Sequence, residues 1–175
     1  LGGDHYETYK KRWNAGFQTE NNWPEQFSYG MEYKQRDDIG DARTNWELNR
    51  HFQFALLAKV YYVSGDKKVL LEFENLFNDW NQKNPFLWGI SWTSVMEIAI
   101  RCSNWCYAWC FLKKAGAPDK LSVQLQTGIL NMTDYIARHY SRYSSANNHL
   151  IVEAYAIGQT GVLCDYKPWI DLAVN

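Results

Sequence analysis

The sequence of 175 residues is long enough for one domain with a sizeable hydrophobic core. Its formal charge of -1, with both signs interspersed, excludes a basic nucleic-acid-binding surface and an electrostatic membrane binder, because both need clustered Lys and Arg. No apolar run approaches the roughly 20 residues that a membrane-spanning helix needs, so no membrane insertion is expected.

The N-terminal segment, residues 1–43, is aromatic but shows no helical or strand periodicity. We predict that it forms an extended arm packed on the helices that follow. Its rings belong to a chain with 17% aromatic residues, nine of them Trp. Trp and Tyr often form the walls of sugar-binding clefts, because their rings stack on the apolar face of a pyranose.

The first helical pattern runs from Thr44 to Ser64, where apolar positions recur with helical spacing and Gly65 supplies a stop. A second amphipathic helix follows Asp66 as its cap and ends before Asn84 and Pro85. Because the connection between the two helices is so short, they are predicted to form an antiparallel hairpin.

Four further helices are predicted at about residues 93–114, at 119–140, from Asn147 or Asn148 to about Gly158, and from near Pro168 onward. The third helix is apolar around most of its circumference, which predicts burial on most sides. Helical starts thus repeat at intervals of roughly fifty residues, and no strand pattern competes. This all-α pattern indicates a solenoid or a closed αα toroid, with alternate helices in an inner and an outer ring over residues 44–175.

The odd-numbered helices are predicted to be the inner ones, because each carries polar residues near its N-terminal end. Inner helices with the same sense would bring these ends to one rim. The residues concerned are Trp46, Glu47, Asn49, Arg50 and His51 on the first helix, Trp92, Ser94, Glu97 and Arg101 on the third, and Asn148, His149 and Glu153 on the fifth.

Three cysteines, Cys102, Cys106 and Cys110, lie in one row of the third helix. Their parallel Cα–Cβ bonds would strain a disulfide, and no His or carboxylate completes a metal-ligand spacing. We therefore interpret them as core thiols and predict neither a metal nor another cofactor.

At the start of the fifth helix, two amides and an imidazole stand side by side at Asn147, Asn148 and His149. An Asn here is a good N-cap, and a capped helix followed by a surface His would explain the pattern. An active site whose side chains face a cleft would explain it equally well.

Four blocks in order, Trp46–His51 (WELNRH), Ala58–Asp66 (AKVYYVSGD), Trp92 with Glu97 and Arg101, and Ser144–Leu150 (SSANNHL), resemble the N-terminal domain of the heparinase II/III family of polysaccharide lyases. The resemblance implies an incomplete αα toroid, followed in the family by a β-sandwich domain. It also implies an anionic polysaccharide substrate containing uronic acid, such as heparan sulfate or alginate, that is cleaved by β-elimination.

By resemblance, Asn148 hydrogen-bonds the substrate carboxylate, and His149 assists it or acts as base, with Asn147 able to exchange roles with Asn148. The other predicted substrate-binding residues are Trp46, Asn49, Arg50, His51, Trp92, Glu97 and Arg101. Two alternatives stay open: Arg50 or Arg101 pairs with Glu47, Glu97 or Glu153 to orient the site, and Trp46 and Trp92 belong to the core.

In the family, the tyrosine acid lies on a later inner helix and a further His comes later still, so both would fall beyond Asn175. We therefore expect residues 1–175 to be truncated at the C-terminus, to lack the remaining toroid helices and the β-sandwich domain, and to show little turnover alone. The resemblance also implies a periplasmic or secreted protein. Competing functions are an αα-barrel hydrolase of uronides, which would need carboxylic acids in place of the Asn and His pair, and a non-catalytic glycan-binding helical domain.

Overall fold

The computed structural model describes residues 12–17, 19–34, 36–141 and 148–174. Within these ranges it contains seven α-helices and one 3₁₀ helix, and β-pairing is limited to two isolated bridges. The all-α prediction is therefore confirmed. The helices are α1 (Ala42–Leu48), α2 (Phe52–Ser64), α3 (Lys67–Lys83), the 3₁₀ helix (Ile90–Trp92), α4 (Val95–Lys114), α5 (Asp119–Arg138), α6 (Asn148–Leu163) and α7 (Lys167–Val174).

Contacts within the chain define two units. The first unit contains residues 1–50 and 75–94, and the second contains residues 51–74 and 95–175. In the second unit, α4 packs against α2, α5 and α6, while α6 also packs against α5 and α7. Helices α2, α4 and α6 thus pack side by side in that order, with α5 packed on α4 and α6 and with α7 packed on α6, while the inner position of the odd-numbered helices stays a prediction. Eleven of the twenty residues of α4 are buried, which confirms that this helix is enclosed on most sides.

The hairpin of α2 and α3 has the predicted turn. Gly65 ends α2 with φ of 66°, a left-handed conformation that glycine adopts without a Cβ penalty. Asp66 caps α3, since its Oδ1 accepts a hydrogen bond from the backbone N–H of Lys68 at 2.9 Å. The rings of Phe54 and Phe73 contact each other across the pair with centroids 5.2 Å apart.

The prediction of one continuous helix from Thr44 to Ser64 is wrong, because α1 ends at Leu48 and α2 begins at Phe52. His51 lies between them with φ of 62°, and a left-handed residue cannot continue a right-handed helix. This conformation coincides with a tertiary contact, in which the indole Nε1 of Trp105 donates to Nδ1 of His51 at 2.8 Å. A specific long-range hydrogen bond has thus overridden the local periodicity. Smaller differences are the start of α4 at Val95 and the end of α5 at Arg138.

The first unit is built around indoles and amides. A hydrophobic cluster contains Trp23, Met31, Ile39, Ala42 and Ile90. Beside it, the indole of buried Trp13 donates to Asp79 at 2.7 Å, and the Trp13 carbonyl accepts from the side-chain amides of Asn45 and Asn49 at 2.9 and 3.0 Å. The described residues before α1 are therefore fixed by hydrogen bonds as well as by hydrophobic packing.

A seam of thiols and hydroxyls crosses three helices of the second unit. Cys102 and Cys106 on α4 are both buried, as the core-thiol prediction requires, whereas Cys110 is half-buried. Thr133 on α5 donates to Thr160 on α6 at 2.9 Å, and these hydroxyls lie 3.4 Å from the Cys102 sulfur and 3.6 Å from the Cys106 sulfur respectively.

Gly128 makes room for the ring that holds His51. A Cβ added at Gly128 would overlap the six-membered ring of Trp105, with a second contact of 3.1 Å to Cε3. Ala is the better helix former by about 1 kcal/mol, but overpacking a core costs about 1–3 kcal/mol, and we expect the upper part of that range, about 2–3 kcal/mol, because the added Cβ would overlap a rigid indole ring. We predict that Gly128→Ala lowers the free energy of unfolding by a net of about 1–2 kcal/mol, measured by urea denaturation. The exposed neighbour Gln126→Ala is the control, and a Gly128→Ala protein as stable as this control would contradict the close packing.

Candidate active site

Asn148 and His149 occupy the first turn of α6. Asn148 is exposed and His149 is half-buried, and successive side chains on a helix are separated by about 100° around its axis. The N-terminus of a helix presents backbone N–H groups and the positive end of the helix dipole, both of which favour an anion. An amide, an imidazole and a helix N-terminus are thus combined at one place. Asn147, the third member of the predicted group, lies outside the described residues.

Glu153 on α6 binds Ser141, a residue that precedes this helix in the chain. It is fully buried on α6, one turn beyond His149. Its two carboxylate oxygens accept hydrogen bonds from the backbone N–H of Ser141 at 2.8 Å and from the Ser141 hydroxyl at 2.9 Å. Ser141 is the last described residue before Asn148. The carboxylate therefore ties the chain that approaches the site to the helix that carries Asn148 and His149.

Arg101 and Glu97 form a buried pair of opposite charges on α4. Both side chains are almost completely inaccessible to solvent. Burial lowers the pKa of Arg101 to about 9, while the charge of Glu97 raises it, so the guanidinium remains a cation at neutral pH. The nearby charge of Glu97 agrees with the pairing alternative, whereas an orienting role of Arg101 in the site stays a prediction. Direct contact of Arg101 or Glu97 with substrate stays a prediction.

His51 is a buried, neutral imidazole. Burial, followed by the nearby charge of Arg101, lowers the pKa of His51 well below its usual value. Because an indole N–H can only donate, Nδ1 of His51 must be the acceptor from Trp105, and the proton of the neutral ring lies on Nε2. Its ring also contacts Phe54 at 4.3 Å between centroids. Direct contact of His51 with a sulfate or carboxylate stays a prediction.

Asn49 and Trp92, in the first unit, are both buried. The Asn49 amide nitrogen donates to the Trp13 carbonyl at 3.0 Å, and its Oδ1 accepts from the Trp80 indole at 2.7 Å. Trp92 contacts Phe86 edge-on with centroids 5.0 Å apart. These positions match the core alternative for Trp92, and they give Asn49 a structural role in holding the N-terminal segment.

Arg50 and Trp46, also in the first unit, are less enclosed. Arg50 lies 3.3 Å from Glu47, so the predicted alternative of an ion pair is present. The indole N–H of half-buried Trp46 donates to the Ile90 carbonyl at 3.1 Å, and its ring contacts Tyr33 edge-on at 5.3 Å between centroids. Substrate contact by Arg50 or Trp46 stays a prediction.

The structure brings some of the predicted site residues of the second unit next to one another. Asn148 and His149 adjoin each other on α6, and His51, Glu97 and Arg101 interact electrostatically within the second unit. Two positioning residues were missed: Trp105, which holds His51, and Ser141, which binds Glu153. Neither partner could be found from periodicity, because each bond joins residues that lie far apart in sequence. Only the tight helix crossing at Gly128 could have pointed to Trp105.

The described residues contain neither a group of potential metal ligands nor a helix that could span a membrane. Across residues 12–17, 19–34, 36–141 and 148–174, no three His, Cys, Asp or Glu side chains are grouped so that they could hold a metal ion. Among the helices of those same ranges, none is both long and apolar enough to cross a membrane.

Comparison with known proteins supports the fold and the family. A family model described as Heparinase II/III N-terminus matches residues 7–167. A heparin-sulfate lyase from Bacteroides stercoris is 26% identical over 147 residues, covering 73% of this chain and 22% of the relative. A heparin-sulfate lyase from Pedobacter heparinus is 24% identical over 139 residues, covering 73% of this chain and 20% of the relative. The chain therefore spans about a fifth of the length of these relatives.

A solved structure of heparinase III is similar to this chain, with a TM-score of 0.59 and 20% sequence identity. The match covers 98% of this chain and 29% of the heparinase III chain. At that identity the match speaks for the fold, and it confirms the predicted fold class of an incomplete αα toroid built of helical hairpins. Since the family model covers most of the sequence, the chain belongs to the heparinase II/III family, and the region that matches is the N-terminal domain of that family.

Proposed function

We propose that this chain is the N-terminal part of a polysaccharide lyase that cleaves a heparin- or heparan-sulfate-like polysaccharide by β-elimination at a uronic acid. The observation that carries the proposal is the exposed Asn148 beside His149 at the N-terminus of α6. Family membership and the two relatives named heparin-sulfate lyases support it. An alginate-like substrate is the alternative within the same reaction class.

The chemistry explains why an amide and an imidazole suit this position. Elimination removes the proton at C5 of the uronate, forms the C4–C5 double bond from those electrons, and expels O4, which takes up a proton. The first step is difficult while the adjacent carboxylate is a full anion, because negative charge accumulates beside it. The Asn148 amide donates to that carboxylate, and the N-terminus of α6 adds a favourable dipole.

His149 then has two roles open to it. Its imidazole can donate a second hydrogen bond to the carboxylate, or it can accept the C5 proton as a general base. By resemblance to the family, a tyrosine from a later inner helix protonates O4. We therefore propose that residues 1–175 supply the part of the site that neutralises the carboxylate, and that they have little turnover on their own.

The first test is elimination by the longest natural chain that contains these residues, on a panel of heparan sulfate, alginate, hyaluronan and chondroitin. Elimination creates a conjugated double bond that absorbs in the near ultraviolet, whereas hydrolysis does not. We predict product from heparan sulfate and a loss of about 10²–10³ in kcat for Asn148→Ala, because one donor to a developing negative charge is removed. His149→Ala should lose about 10²–10⁴.

The matched control is Asn131→Ala, an exposed amide on α5, which should keep the parent rate. Product from alginate alone would select the alternative substrate. A folded protein that gives no elimination product from any uronan would favour the hydrolase or glycan-binding function. Normal elimination by Asn148→Ala would overturn the role assigned to Asn148.

The bond between Glu153 and Ser141 generates a second prediction. Glu153→Ala leaves a part-buried backbone N–H without its acceptor, and we expect it to lower the free energy of unfolding by about 1–3 kcal/mol and to reduce elimination. Glu153→Gln should retain most of both properties, since its carbonyl accepts from the N–H while its amide donates to the hydroxyl oxygen. Chemical denaturation and the absorbance assay measure the pair. Equal loss in the Gln variant would show that the negative charge matters instead of the hydrogen bonds.

We further propose, by resemblance to exported lyases, that the protein acts in the periplasm or outside the cell. Fractionation of the producing cells tests this, and recovery of the protein in the cytoplasm alone would contradict it.

A further inference from the structure

A cavity of about 550 Å³ lies beside α1 in the first unit. It falls within the range of about 300–1,000 Å³ that is typical of small-molecule sites. Its walls combine two aromatic rings, three cations and two carboxylates, and none of its residues belongs to the α6 turn that carries Asn148 and His149. The lining residues are Tyr33, Lys34, Arg36, Asp37, Gly40, Asp41, Ala42, Arg43 and Trp46.

The aromatic wall is held rigidly. Trp46 is fixed by the hydrogen bond from its indole to the Ile90 carbonyl at 3.1 Å and by edge-on contact with Tyr33. Both rings pack on the cluster that contains Trp23 and Ala42, and both remain partly exposed. Because the indole N–H of Trp46 is hydrogen-bonded to the backbone, a ligand in the cavity would contact the carbon atoms of the Trp46 ring. Such a surface suits the apolar face of a sugar ring.

The cations of the cavity are oriented by neighbouring carboxylates. Arg36 binds both oxygens of Asp38 at 2.7 Å through Nε and Nη2, and Arg43 binds Asp41 through the same edge at 2.9 and 2.6 Å. A guanidinium has five N–H groups in a planar fork, so one carboxylate on this edge does not use all of them. The Arg43 side chain is 81% exposed, and exposed pairs of this kind contribute little energy. An incoming anion can therefore share the guanidinium.

The balance of charges sets the chemical class of the ligand. The lining contains three cations and two carboxylates, and Asp38 outside the lining offsets Arg36. An anionic group must then be held locally by directed hydrogen bonds, as Arg provides, because the net charge offers little attraction. Asp37 and Asp41 can accept hydrogen bonds from sugar hydroxyls. A sugar unit with one acidic group and free hydroxyls fits this set better than a phosphate or a purely apolar ligand.

We propose that the cavity is a second saccharide-binding site, which takes an acidic sugar unit of the polysaccharide with its apolar face on Trp46, beside Tyr33, and its acidic group on Arg43. The choice of ligand rests on the proposed function, whereas the cavity itself does not. Such a site anchors the polysaccharide independently of the residues that carry out elimination.

The test is isothermal titration of size-defined heparan sulfate oligosaccharides into the protein, on an Asn148→Ala background so that the ligand is not consumed. We expect Arg43→Ala to weaken binding roughly tenfold, since a charge-assisted hydrogen bond is lost, and Arg43→Lys to recover only part of it. Trp46→Phe, which keeps a ring but loses indole area, should weaken binding by a smaller factor. A chemically desulfated, carboxyl-reduced oligosaccharide should bind equally to the Arg43→Ala protein and to its parent.

Arg138→Ala is the matched control, because Arg138 is also an exposed Arg in an ion pair, with Asp134 on α5, and does not line the cavity. The proposal is overturned if the folded parent binds no oligosaccharide, or if Arg43→Ala and Trp46→Phe bind as tightly as Arg138→Ala. The elimination assay separates the two proposals. Lost elimination in Asn148→Ala with unchanged binding in Arg43→Ala rejects the cavity alone, and the reverse pattern rejects the assigned lyase chemistry alone.

Discussion

The hydrogen bond from the Trp105 indole to His51 is the interaction on which the second unit depends. It satisfies the indole of a large buried side chain and fixes the tautomer of a buried imidazole. The same residue, His51, has the left-handed backbone conformation that separates α1 from α2. A polar contact at the centre of an aromatic core thus decides where a helix begins, which hydrophobic packing alone, being non-directional, would not do.

The same unit contains charges that most cores avoid. Arg101 and Glu97 are buried on α4, where desolvation works against the cation and the neighbouring carboxylate favours it. Glu97 also lies in the first turn of α4, where the helix dipole favours a negative charge, while Lys113 and Lys114 occupy its last turn. The charged residues in the first and last turns of α4 therefore lie where the helix dipole stabilises them.

The sequence predicted the features that depend on local pattern. Periodicity located the helices, the turn at Gly65, the buried α4 and the side-by-side packing of alternate helices, and the polar cluster located the start of α6. It failed where a distant side chain decided the outcome. His51 ends a helical pattern because of Trp105, Asn49 faces the carbonyl of Trp13, and Glu153 binds Ser141. Each of these partners is specific in three dimensions and leaves no periodic trace in the sequence, whereas the amphipathic stripes are repeated every turn.

The thiol and hydroxyl seam across α4, α5 and α6 has a consequence for how these helices find their alignment. Its members bond one another across three helices in an otherwise apolar interior. A slip of α5 or α6 by one residue would turn Thr133 or Thr160 by about 100° and break the bonds between the helices, although each hydroxyl would keep the i−4 carbonyl of its own helix, Ile129 or Ala156, as an acceptor. The seam therefore favours one alignment of the three helices, because only that alignment keeps the interhelical contacts of the two thiols and two hydroxyls.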